Sequence, residues 1–303
     1  MSADAQPSSP SPVPTTARPA PYARPTSLAE ALALRAAHPE HVVLAGGTDL
    51  LVDARNRPEP AGVLDLFGLP DLVGVATSDA GDVRIGAATT YAQLLRDAVI
   101  GERLPALWAA CREVGALQIQ ARGTLGGNVA TSSPVGDTLP VLLALDAEVE
   151  LASAARGPRR VPYAAFLTGY RKIDLAPDEL IVAVHVPAAA TQARQFWRKV
   201  GTRRAQAISK VMLAAAAHVN PDGTLAEVRL ALGAVADRPI RAHAVEALLE
   251  GARPDEQLAQ RAAAALAITP IDDVRSTATY RLQVAQNLVA RFVRVLAAEA
   301  SRS

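Results

Sequence analysis

Two different rhythms of apolar and polar residues run along this chain. In the last third the rhythm is two. Val228, Leu230 and Leu232 alternate with Glu227, Arg229 and Ala231, which predicts a strand over 225–235 with one face toward a core. Gln195–Gly201 and Lys210–Val219 predict two more strands, and Pro221-Asp222-Gly223 supplies the turn between the last two. Helical periodicity follows at about 241–250, 255–267 and 278–298. Strands succeeded by helices predict an α+β unit of a small sheet plus helices over 193–303.

Before residue 192 the pattern is broken more often. Ser27-Leu28-Ala29-Glu30 fits a capping box opening a helix to Ala37. Val42–Leu44 predicts a strand that ends in Ala45-Gly46-Gly47-Thr48-Asp49, after which Leu50 opens a helix broken at Arg55-Asn56-Arg57-Pro58. Strands are predicted at 63–66 and 83–86, helices at 89–95 and 104–114. A buried helix or strand follows at 139–145, then strands at 149–151 and 179–186 and a linker at 187–192. Residues 123–137, GTLGGNVATSSPVGD, are too polar for core and too rich in glycine for a helix, and are expected as a long loop. This places a Pro/Ser-rich disordered tail at 1–21 and a domain at 22–192, itself split into subdomains 22–85 and 86–192.

Composition narrows the function. The chain has 303 residues and a net charge of +1, from 31 basic and 30 acidic side chains. No basic excess marks a nucleic-acid surface. The single cysteine, Cys111, excludes an internal disulfide or an all-cysteine cluster within the chain. The five histidines form no ligand set with it, and no metal site is expected. No stretch approaches the roughly 20 apolar residues of a membrane span, and the tail lacks a secretory apolar core, so the cytoplasm is the expected compartment. Of the basic residues only Lys172, Lys199 and Lys210 are lysines.

The chemistry concentrates in two glycine-rich segments. Leu44-Ala45-Gly46-Gly47-Thr48-Asp49 lets the backbone turn sharply after a strand and point several N–H groups at one place, a nest suited to phosphate. It is neither a Walker A loop nor a G-x-G-x-x-G fingerprint. In the second segment Thr124, Asn128, Thr131, Ser132 and Ser133 offer donors to an anionic or hydroxylated ligand, and Asp137 an acceptor.

AGGTDLL at 45–51 and RGTLGGNVATSSPVGDTLPVLLALDAEVEL at 122–151, in this order, resemble the FAD-binding medium subunit of the molybdenum hydroxylases, the xanthine dehydrogenase, aldehyde oxidoreductase and carbon monoxide dehydrogenase family. The similarity runs over about 22–300. It implies a two-part FAD-binding domain of the vanillyl-alcohol oxidase (PCMH) type, then a flavoprotein C-terminal domain. It implies that Ala45, Gly46, Gly47, Thr48, Asp49 and Leu50 wrap the FAD pyrophosphate with Thr124, Gly127, Asn128 and Thr131, and that Leu44 before them is also cofactor-binding. It further implies Asp137 on the adenosine ribose, Val114 beside the adenine, Ile181 packed at the flavin and Lys199 at the flavin end. The family's chemistry belongs to the cofactor, so no catalytic side chain is expected here. The molybdenum cofactor and the iron–sulfur (2Fe–2S) clusters are expected on a large and a small partner chain, with NAD or another molecule as electron acceptor. Two other readings stand beside it: a stand-alone FAD-dependent oxidoreductase, which would need acid–base residues over the flavin, and a scaffold subunit that has lost FAD.

Overall fold

The computed structural model describes residues 20–52, 56, 58–203 and 206–300. The tail expected at 1–21 lies almost wholly outside the described residues. At the centre is the strand Leu180–Val186, all seven of whose residues are buried. An apolar run with no polar alternation needs cover on both faces, and it has it. The strand is the middle of a five-stranded antiparallel sheet, in the order 75–77, 83–86, 180–186, 148–153, 157–162. A bulge between Ile181 and Ala183 shifts the register. Leu180 and Val182 therefore face one core with Leu64, Leu66 and Leu72, while Ile181, Val184 and Val186 face another with Leu107, Leu125 and Leu142.

The first of these cores is closed by a small layer, a parallel three-stranded sheet ordered 22–23, 63–65, 42–44 with the helix Leu28–Ala37. Ser27 caps that helix by accepting from Glu30 N at 3.2 Å. Glu30 does not complete the box on Ser27; its carboxylate reaches back to Thr26 N at 2.7 Å. The strand at 83–86, expected in the first subdomain, pairs with the second sheet instead, as does a strand at 75–77 that the sequence did not signal. The division expected near residue 85 therefore does not follow the sheets.

The C-terminal sheet is an antiparallel meander of 194–201, 209–219, 225–233 and 240–241. Its long strand Ser209–Val219 alternates between two partners. Val211, Leu213, Ala215 and Ala217 pack toward the helices that hold Val245, Leu258 and Phe292. Ala214 and Ala216, with Ala231 of the next strand, pack into the large N-terminal core. These small side chains let the wholly buried helix Leu139–Ala144 lie against the sheet. The expected linker at 187–192 is a single helical turn, Ala188–Gln192, pinned by Ala188 N donating to Asp82 Oδ1 at 2.9 Å. No helix among the described residues is long and apolar enough to cross a membrane.

Candidate cofactor site

The two glycine-rich segments touch. A Cβ at Gly46 would sit 1.9 Å from the carbonyl oxygen of Arg122, so only glycine allows the backbones this close. Gly47 takes φ +74°, the left-handed region, and starts a tight turn in which Leu51 N donates to Gly47 O at 3.0 Å. Residues 48–52 continue as turns, so the helix expected to open at Leu50 does not form among the described residues. The backbone N–H groups of Gly46 to Leu50 donate to no partner among the described residues. Unsatisfied N–H groups gathered on one turn are an anion-accepting nest.

The second segment is not the long loop expected. Leu125–Thr131 is a helix, capped by Thr124, whose Oγ1 accepts from Gly127 N at 3.1 Å. The cap and a close contact override the poor helix propensity of its two glycines. A Cβ at Gly126 would lie 2.6 Å from Ala87 O, and Gly126 N donates to that same oxygen at 2.8 Å. Leu125 N is likewise taken, by Thr89 O at 3.1 Å. The first N–H groups of this helix are thus occupied internally. Its contributions to a ligand are side chains, chiefly Asn128 and Thr131. The helix ends at Ser132 with φ +46°, its Oγ buried and without a partner.

Between the segments and the end of the central strand lies a cavity of about 590 Å³. Ala45, Gly46, Gly47, Thr48, Asp49, Leu50, Val114, Thr124, Gly127, Asn128, Thr131, Asp137 and Ile181 all line it. Leu44 and Lys199, also expected there, do not. Leu44 is paired with Asp65 in the small parallel sheet. The Lys199 side chain is 5% exposed, and its Nζ donates to Asp137 Oδ2 at 2.7 Å and Glu113 O at 3.3 Å. Asp137 Oδ1 accepts from Ser209 Oγ at 2.8 Å, so both carboxylate oxygens are engaged. Burial pushes the Asp137 carboxyl above its usual range, against the pull of Lys199.

Asp137, expected on the adenosine ribose, and Lys199, expected at the flavin end, are in direct contact, and of the two only Asp137 lines the cavity. Lys199 points inward from its strand and is the counter-charge of Asp137.

Several lining residues were not singled out from the sequence. Glu179 is 2% exposed; Arg159 Nε and Nη2 donate to its two oxygens at 2.7 and 2.8 Å, and Ala176 N adds a bond at 2.9 Å. The Arg159 hydrogen bonds, against burial, hold this carboxyl down at about 2. Arg35 lines the cavity with its Nε buried and unpartnered, while its Nη1 donates to His41 O at 2.8 Å. Burial lowers the pKa of this guanidinium. Tyr91, Arg171 and Leu175 also line the cavity. Tyr91 carried a local signal, since Thr90 and Gln93 form a full capping box around it. Cys111 is fully buried and its thiol pKa is raised by burial, as a core residue's is.

The architecture and the cavity define a two-domain α+β protein with a cleft lined by two glycine-rich segments. The family described as FAD binding domain in molybdopterin dehydrogenase matches residues 15–189, and the CO dehydrogenase flavoprotein C-terminal domain matches residues 197–296. The chain belongs to the FAD-binding subunits of the molybdenum hydroxylase family. It is 33% identical over 279 residues to the xanthine dehydrogenase FAD-binding subunit of Escherichia coli O157:H7, covering 90% of this chain and 94% of that one. Among solved structures it resembles quinoline 2-oxidoreductase from Pseudomonas putida 86, with a TM-score of 0.85, 27% identity and coverage of 93% and 98%. It also resembles a carbon monoxide dehydrogenase from Hydrogenophaga pseudoflava that lacks the Mo-pyranopterin moiety of the molybdenum cofactor. There the TM-score is 0.83 with 30% identity, over 90% of this chain and 96% of that one.

Proposed function

We propose that this chain is the FAD-carrying electron-transfer subunit of a multisubunit molybdenum hydroxylase. In this reading it works in the cytoplasm, takes electrons from iron–sulfur clusters on a small partner chain, and passes them to NAD or another acceptor. A large partner chain holds the molybdenum cofactor and the oxidised substrate. The observation that carries the reading is the nest: five N–H groups from Gly46 to Leu50 without partners among the described residues, on a turn that lines the cavity.

When bound, FAD supplies the redox chemistry, and the protein positions and tunes it. The Gly46–Leu50 N–H groups and the side chains of Thr48, Asn128 and Thr131 would hold the pyrophosphate. Charge-assisted hydrogen bonds of this kind contribute about 1.5–3 kcal/mol each. Ile181 and Val114 give apolar walls for flat rings. Glu179, locked by Arg159, holds the start of the central strand, from which Ile181 reaches the cavity. Asp49 and Thr131 approach across the cleft at 3.5 Å.

The test is isolation of the native complex. Flavin released on denaturation should be FAD and not FMN, and iron, molybdenum and two further chains should copurify. Bound FAD without those chains would favour a stand-alone oxidoreductase. A chain that takes up no FAD would overturn the reading.

A further inference from the structure

We infer that Thr138 is a positioning residue that sets the direction in which the Asn128 amide faces the cofactor cavity. An asparagine amide carries an acceptor on one side and two donors on the other, so it helps an anion only in one of its two orientations. Thr138 is fully buried and does not itself line the cavity. Its Oγ1 donates to Asn128 Oδ1 at 2.6 Å. With the acceptor side held from behind, Nδ2 is the free side, and it has no hydrogen-bond partner among the described residues. Gly136 keeps that side clear, since a Cβ there would come within 3.0 Å of Nδ2. Gly136 and Thr138 thus act on the two sides of one amide, one by absence and one by a hydrogen bond.

The residue between them, Asp137, is gripped by Lys199 and Ser209 of the C-terminal sheet. The backbone that carries Thr138 is therefore anchored by the second domain. This inference rests on the FAD reading above and names the residue that aims one of its donors.

The experiment titrates FAD into the full-length chain stripped of flavin, following flavin fluorescence. Variants are Thr138→Val, Thr138→Ala and Thr138→Ser, each alone and in an Asn128→Ala background, with folding checked by circular dichroism. Thr138→Val and Thr138→Ala should raise the FAD Kd about tenfold or more, the loss of one correctly aimed donor to a charged group. Thr138→Ser, which keeps the hydroxyl, should restore binding. In Asn128→Ala the same Thr138 changes should have no further effect, because the group they act through is gone. Equal weakening in both backgrounds, failure of serine to rescue, or wild-type affinity in both the valine and alanine variants would overturn the inference while leaving the FAD reading intact. A wild-type chain that binds no FAD would overturn the FAD reading, and this inference with it.

Discussion

Lys199 Nζ and Asp137 Oδ2 meet at 2.7 Å inside the junction of the two domains, with the side chains 5% and 10% exposed. One sits on the first strand of the C-terminal sheet, the other is the last residue of the second glycine-rich segment. Ser209 Oγ donates to the second Asp137 oxygen, and the carbonyl of Glu113 accepts a second hydrogen bond from Lys199 Nζ. A buried pair of this kind need not add net stability, but removing one member leaves a buried charge unpaired.

Lys199→Met should therefore destabilise the protein by about 3–5 kcal/mol. It should also weaken FAD retention, because the grip on Asp137 is lost. Lys199→Met combined with Asp137→Leu should recover most of that stability. Denaturant unfolding of the wild type, the two single variants and the double variant measures this; additive losses in the double variant would contradict the pairing.

Two neighbouring glycines should fail for different reasons. Gly46→Ala puts a Cβ 1.9 Å from a backbone oxygen, and neither backbone can move without separating the two segments. The cost should be about 3 kcal/mol or more, with FAD content lost. Gly47→Ala meets only side chains and suffers mainly from φ +74°, a cost of about 1–2 kcal/mol. The check is flavin content and unfolding midpoint of both. A Gly46→Ala protein as stable and as yellow as wild type would refute the close approach.

Acid should release the Glu179 clamp. Its carboxyl is lowered from 4.5 to about 2, with Arg159 the main cause. A depressed carboxyl contributes stability that is complete above its unfolded pKa and fades as pH falls through the folded one. The loss should therefore fall between about pH 4.5 and about pH 2. Glu179→Gln should cost about 1.5–3 kcal/mol near neutrality and flatten this acid limb. Unfolding midpoints from pH 6 to pH 2 test it; parallel curves for variant and wild type would rule the clamp out as the source.

Cys111 should be inert in the folded protein. It is fully buried, and burial disfavours its thiolate, the reactive form. A disulfide reagent should label no thiol under native conditions and one after denaturation. Rapid native labelling would show that the helix Pro105–Glu113 opens.

Residue order carried much of the architecture. The alternation at 225–235 became the strand Leu225–Gly233, and the three C-terminal helices appear at 243–249, 256–264 and 278–300. The apolar run at 179–186 became the central strand. The misses have identifiable causes. Glycine at 126 and 127 argued against a helix, but Thr124 capped one and Ala87 received it, a tertiary contact overriding propensity. Leu50 argued for a helix, but the chain there turns at Gly47 and runs on in turns.

What the sequence by itself determined was where the backbone could bend and what could be buried. Glycines at 46, 47, 126 and 136 permit conformations and approaches closed to other residues, and that permission is a property of the residue itself. The two segments that face the cavity were legible for this reason. Only the tertiary structure decided which polar groups meet. Asp137 and Lys199 are 62 positions apart, and Thr138 reaches Asn128 only because the helix 125–131 folds back on the chain that follows it. Charges and hydrogen bonds act over a few ångströms in space, whatever the distance along the chain. Their partners are set by register, bulge and helix placement, which no single segment of sequence contains.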